Sequence, residues 1–179
     1  MSGRLGLEDR APELDLSVGA LVVYGGHGVG RICARSFESG EDSEASRVVL
    51  EFASGLSVIL PLERAEACLR PTAGPGELDD VRATLRSRST QNEQPAQARR
   101  RTTQSKIVVG DPVGLAEVVR DAVERQRRFA PGSTLSPAEQ ELYWKARRLL
   151  AAELVVAAHI DEAEAEAWIE SQLDRTGDQ

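Results

Sequence analysis

Two periodicities divide the chain. From Leu16 to Arg70 the apolar residues come in short, valine-rich runs broken by glycine. Leu21-Val22-Val23-Tyr24 is opened by Val18-Gly19 and closed by Gly25-Gly26, and Val29 to Ala34 follows at once, then Phe37. After the polar turn Glu38-Ser39-Gly40-Glu41-Asp42, Arg47 to Phe52 alternates loosely. Ala53-Ser54-Gly55 turns the chain again, and Leu56 to Leu60 runs as far as Pro61. β-Branched residues suit a pleated, half-buried surface, and glycine supplies the turns. Four or five short strands at about 8–12-residue spacing predict a small antiparallel barrel. A barrel of about 55 residues is near the lower limit for folding alone, so it should lean on a neighbour.

The breaker cluster Pro71-Thr72-Ala73-Gly74-Pro75-Gly76 marks the domain boundary. Beyond it the apolar spacing becomes helical. Glu77 to Ser87 puts Leu78, Val81 and Leu85 on one stripe, and a polar stretch from Arg88 to Gln94 ends at Pro95. Asp111-Pro112 reads as an N-cap with proline at the first helical position. That helix would bury Leu115, Val118, Val119, Ala122 and Val123. Ser136-Pro137-Ala138-Glu139 reads as a capping box opening a helix to Ala158, with Leu142, Tyr143, Leu149, Leu150, Leu154 and Val155 as its apolar residues. A last acidic helix, Asp161 to Leu173, is anchored by Trp168, Ile169 and Leu173. The second half is expected to be a bundle of four or five helices.

Charge and chemistry narrow the function. The net charge of −7, from 22 basic and 29 acidic residues, opposes binding of nucleic acid over the whole surface but leaves room for a local basic patch. No apolar run approaches the roughly 18 residues of a membrane span, and Met1 to Pro12 carries no signal-peptide core. Cys33 and Cys68 form neither a disulfide framework nor a zinc pattern. The two histidines, His27 and His159, have no nucleophile motif beside them. The acidic residues lie mainly on helix faces. A non-enzymatic, cofactor-free, cytoplasmic protein is expected.

Three features invite a closer reading. Gly25-Gly26-His27-Gly28-Val29-Gly30 lacks the Gly-Lys-Ser/Thr and following helix of a phosphate loop, so its glycines are read as turning two strands. Arg99, Arg100, Arg101 and Lys106 form the only dense basic segment and are the candidate phosphate contacts, with no aromatic residue interleaved. Val58, Ile59 and Leu60 are apolar at both parities, which in so small a barrel leaves an apolar side chain beside an unpaired strand edge, suited to strand addition.

The order of these features resembles the CarD/CdnL family of bacterial transcription regulators over about residues 14–175. Leu16-Ser17-Val18-Gly19, Val22-Val23-Tyr24 and His27-Gly28-Val29-Gly30 look like the opening of its polymerase-interacting barrel, and Val58-Ile59-Leu60-Pro61 like the end of it. Gly110-Asp111, Leu115 to Asp121, Leu135-Ser136, Lys145-Ala146-Arg147 and Glu153-Leu154 look like its helical half. The resemblance implies a Tudor-like barrel that binds the RNA polymerase β subunit by strand addition. Carried across, that contact falls on Val48, Val49 and Leu50 and on Val58, Ile59, Leu60 and Pro61. Glu38 and Ile59 stand where some members have arginines.

The resemblance also implies a helical domain that, in some members, contacts promoter DNA through a wedging tryptophan and basic side chains. Here the wedge position holds Ala96, which cannot fill an opened base step. Arg101 matches a phosphate-contacting lysine, and a later basic position holds Gln140. Trp144 and Trp168 are candidate core or partner anchors. The kept barrel contact and missing wedge resemble the N-terminal module of longer CarD-type regulators, in which a zinc-binding partner, CarG, is recruited and a hook-like tail binds DNA. A chain without an Arg-Gly-Arg-Pro hook, ending at Gln179, is expected of such a module.

The expectation is thus an α+β chain in two domains. A lead-in over 1–14 precedes a Tudor/SH3-like barrel over 15–72, an all-α bundle over 76–175 and a tail over 176–179. The barrel would bind RNA polymerase β and the bundle would serve mainly as a protein-interaction surface. The alternative is a stand-alone promoter-complex stabiliser that touches DNA through its basic segment. Nucleoid association would follow from either.

Overall fold

The computed structural model describes residues 13–36, 46–89, 95–130 and 133–174. Four strands, β1 (Leu21–Val23), β2 (Val29–Ser36), β3 (Arg47–Phe52) and β4 (Ser57–Pro61), form one antiparallel sheet in sequence order. A 3₁₀ turn, Gly25–His27, joins β1 to β2. Alternation places Val48, Leu50 and Phe52 of β3 in the core and turns Arg47, Val49 and Glu51 outward. A bulge between Ile32 and Ala34 absorbs one extra residue in β2. Val23 and Arg70 exchange backbone hydrogen bonds of 2.8 and 3.0 Å, so the segment after β4 returns to cover the free side of β1.

Leu14 and Leu16, on the expected lead-in and its edge, pack with Val22, Ile32 and Leu60 in this core. Pro61 ends β4, as its missing amide requires, and its extended backbone leads into a short helix, α1 (Leu62–Cys68), which the sequence reading did not anticipate. Ala65 of α1 is fully buried against the sheet core.

The second half contains five further helices: α2 (Pro75–Arg86), α3 (Ala96–Val109), α4 (Pro112–Arg128), α5 (Pro137–Ala158) and α6 (Glu162–Asp174). Their boundaries follow local chemistry. Asp111 Oδ2 accepts from the Gly114 amide at 2.8 Å, and Ser136 and Glu139 accept from each other's amides. Asp161 and Glu164 repeat that reciprocal pattern ahead of α6. The core joins Val81 and Leu85 of α2, Leu115, Val118 and Val119 of α4, Leu150 and Leu154 of α5, and Ile169 and Leu173 of α6. Helix α3 is the one the apolar pattern did not outline, because Ile107 is its single buried side chain. Pro95 precedes it and Gly110, at φ 70°, ends it.

Barrel and bundle meet at one buried ion pair. Arg70, just past the barrel, donates from Nη1 to Glu153 Oε1 at 2.6 Å and from Nη2 to Oε2 at 2.8 Å. The Glu153 side chain is 3% exposed and the Arg70 side chain 27%. Glu153 also accepts from the Ala73 amide at 2.9 Å, and Arg70 donates to the carbonyl oxygens of Gly110 and Pro71. The glycine run does more than turn two strands. A Cβ on Gly25 would lie 2.6 Å from the Val108 carbonyl oxygen, and one on Gly110 would lie 2.4 Å from that of Gly25. The backbones of the two domains touch there because neither residue has a side chain.

Glu139 of α5 draws together cations of two other helices, Arg125 of α4 and Arg99 of α3. Arg125 Nη1 donates to Glu139 Oε1 at 2.6 Å, and Arg99 Nη2 lies 3.8 Å from the same oxygen. Burial pushes the Glu139 carboxyl up, but hydrogen bonds from Ser136 and the Arg125 and Arg99 guanidinium charges outweigh it and hold the group below its ordinary value.

Two outcomes are expected. Removing one member of a buried pair leaves the other charge uncompensated, so Glu153→Ala should cost about 3 kcal/mol in urea unfolding; a loss below about 1 kcal/mol would mean the glycine contact holds the domains alone. Because the Glu139 value is depressed in the folded state, its contribution is complete above the ordinary carboxyl value of 4.5 and disappears as pH falls through the lowered folded value. Glu139→Gln should therefore destabilise at pH 7 and converge with the parent chain once pH falls below the lowered folded value, read from paired urea titrations; a gap independent of pH would contradict this.

Candidate functional site

The register between β3 and β4 sorts the expected docking residues by face. Val48 pairs with Leu60, Val49 with Ile59, Leu50 with Val58, and Arg47 with Pro61. Val48 and Leu50 are fully buried, Leu60 is 7% exposed, and Val58 packs against the same core. The side chains of Val48, Leu50 and Leu60 are therefore turned into the barrel, and that of Val58, partly buried, leans on the same core. What Val58 and Leu60 offer is the backbone of β4, the last strand of the sheet, which pairs only with β3.

The side chains on the accessible face are Val49 and Ile59, directly opposite each other, with Pro61 at one end of the strand. Ile59 is 62% exposed. Alternation in β3 carries enough signal to separate Val49 from Val48 and Leu50. In β4 three consecutive apolar residues erase that signal.

The next row of the same face is polar. Arg31 of β2 stands opposite Glu51 of β3, and Leu21 of β1 stands opposite Arg31. The Cys33 thiol donates to Glu51 Oε2 at 3.2 Å. That hydrogen bond, with lesser contributions from burial and the carboxylate charge, holds the thiol above its ordinary value. Helix α5 approaches the sheet here. Arg31 and Glu51 on one side and Arg148, Ala152, Val155 and Val156 on the other line a cleft of about 510 Å³. Sequence reasoning missed this cleft because its two walls are about 100 residues apart in the chain, too far for any local pattern to relate them.

The basic segment lies wholly on α3, but its four cations are not equivalent. Lys106 Nζ is 2.7 Å from Glu117 Oε2 of α4, and Arg99 is turned into the bundle beside Glu139. Arg100 and Arg101 are exposed and make no ion pair among the described residues. Ala96, where the wedge would stand, is the exposed first residue of α3. Gln140 donates from Nε2 to the Leu135 carbonyl at 2.9 Å and so closes the start of α5. Glu38 lies outside the described residues.

The two tryptophans part company. Trp168 is half-buried against the bundle core, with the Arg82 guanidinium 5.7 Å from its ring. Trp144 is 53% exposed on α5, edge-on to Tyr143 at 4.8 Å and 5.8 Å from the Arg147 guanidinium. Burial opposes the Arg147 charge, but hydrogen bonds to the Tyr143 hydroxyl and to Glu166 outweigh it and keep the group firmly protonated. Tyr143 and Arg147, itself paired with Glu166, thus flank the exposed Trp144 ring.

Among the described residues no three His, Cys, Asp or Glu side chains cluster as a metal site, and no helix is long and apolar enough to cross a membrane. The chemistry on offer is that of surfaces: a free strand edge with an apolar pair, an adjoining cleft and an exposed aromatic residue.

Two family models match the chain. Residues 16–73 match the CarD-like/TRCF RID domain, and residues 80–170 match the CarD C-terminal domain. The boundary between the two matches falls on the proline- and glycine-rich junction that follows Arg70. Matched in both halves and in the family's order, the chain belongs to the CarD-like family of non-enzymatic transcription regulators that interact with RNA polymerase.

Proposed function

We propose that the barrel docks on the β subunit of RNA polymerase by adding a strand of that subunit to β4, with Ile59 and Val49 as the apolar contact. The observation that carries this reading is the exposed Ile59 on the unpaired edge strand, directly opposite Val49. Ladder hydrogen bonds supply affinity irrespective of side chain, and the outward side chains supply selectivity. Burying the exposed part of an isoleucine contributes about 1–2 kcal/mol, enough to act as a hot spot within an otherwise polar contact. The bundle serves mainly as a protein-interaction surface, with Trp144 as its anchor, and the mechanism is recruitment rather than catalysis.

Ile59→Glu tests the reading, because its position is mostly solvent-exposed and the fold does not depend on it. The full chain should bind core RNA polymerase, or a purified β fragment, while Ile59→Glu binds at least about 30-fold more weakly, the equivalent of about 2 kcal/mol. Equal affinity in a folded variant would overturn the proposal.

A second reading, direct contact with promoter DNA, draws support from Arg100 and Arg101, which stay exposed while Arg99 and Lys106 are engaged within the bundle. Two phosphate contacts give a slope of log affinity against log salt of about −1.8, and four give about −3.6. A slope near the smaller value, abolished by R100A/R101A, is expected if α3 touches DNA. A salt-insensitive or undetectable complex with a forked promoter would eliminate this reading.

A further inference from the structure

We infer that the cleft between the outer sheet face and α5 is a second half of the polymerase-docking surface, taking from the same partner an apolar side chain flanked by a carboxylate. The inference rests on the docking role proposed for β4 and extends it across the junction of the two domains. Continuity of the surface is the first argument. On the outward face the Val49–Ile59 pair and the Glu51–Arg31 pair are adjacent rows, two residues apart along β3. Two residues of strand span about 7 Å, so a chain lying on the apolar pair reaches the mouth of the cleft within its next few residues.

The walls are the second argument. The bundle side is built from Ala152, Val155 and Val156 of α5, and the volume of about 510 Å³ exceeds what one large side chain fills. Such a cleft between domains suits a segment rather than a single residue. Charged side chains of both signs line the cleft, Arg31 and Glu51 on the sheet and Arg148 and Glu162 on the helices, and Arg31 and Glu51 stand opposite each other in the ladder. Arg148 is exposed and makes no ion pair among the described residues, so its guanidinium is the group on the α5 wall that a carboxylate of the partner can meet.

The third argument is the stripe on which these residues lie. Trp144, Arg148 and Ala152 recur every four residues along α5, on one face of the helix, about 6 Å apart in rise. The exposed tryptophan thus continues the rim of the cleft one turn beyond Arg148 and belongs to the same surface. Glu153, next to Ala152, carries the ion pair to Arg70, so the junction that fixes the domains also fixes the width of the cleft.

Ala152→Trp fills the cleft from an exposed position, and Arg148→Glu reverses the charge at its rim. The full chain, Ile59→Glu, Ala152→Trp and Arg148→Glu are each titrated against core RNA polymerase, with melting temperatures measured in parallel. Both cleft variants are expected to bind at least about tenfold more weakly while melting like the parent. If Ala152→Trp itself lowers the melting temperature, Arg148→Glu decides alone. Parental affinity in both cleft variants beside a weakened Ile59→Glu overturns the cleft and leaves the β4 contact standing. Weak cleft variants beside an unaffected Ile59→Glu keep the cleft and remove the strand edge. Failure of the parent chain to bind removes both.

Discussion

The Arg70–Glu153 pair is the constraint on which the remaining geometry depends. It lies where the barrel ends, holds a carboxylate that is almost wholly buried, and also engages the amide of Ala73 and the carbonyl of Gly110. A buried ion pair is weak evidence for stability, because desolvation offsets much of its attraction, but it discriminates strongly between arrangements. Each of its partners occupies a defined position in the other domain, so a shift of barrel against bundle would strand both charges. The glycine contact between Gly25 and Gly110 acts in the same sense by steric means. Together they let a barrel near the lower limit for independent folding share a frame with a larger helical core.

That frame determines which surfaces remain free. The barrel spends Val48, Leu50 and Leu60 on its own core and keeps Val49 of β3 and Ile59 of β4 outside, Ile59 on a strand that among the described residues pairs on one side. The bundle does the same with its cations, turning Arg99 and Lys106 inward to carboxylates and leaving Arg100 and Arg101 outside. In both domains half of a dense sequence feature is consumed by stability, and the other half stays exposed. An exposed apolar pair at a strand edge is an aggregation liability unless it has a function. Its persistence in an acidic, highly charged chain accords with a surface kept for a partner.

Much of this fold was legible in the chain because the signals are local. Period-two alternation gave the strands, helical spacing gave α2, α4, α5 and α6, and Asp111 and Ser136 placed helix starts through side chains that satisfy neighbouring amides, with Pro112 suited by its fixed φ to the first turn. Helix α3 escaped because a helix with one buried residue has no apolar stripe, and α1 because seven residues are too few to show a period. The candidate site was legible only in part. The run Val58-Ile59-Leu60 pointed to an edge strand but, being apolar throughout, could not assign a face. The four basic residues fall on one helix, but the chain did not tell which of them are engaged by carboxylates.

The chain by itself determined most of its strands, helices and caps, since each depends on residues within a turn or two of one another. Only the tertiary structure decided the partners of charge and the faces of strands. Arg70 and Glu153 are 83 residues apart, and nothing near either one names the other. The cleft beside α5 likewise exists only once β2, β3 and α5 are brought together. Long-range pairing of this kind is set by the packing of whole elements, and so it becomes visible when they are assembled.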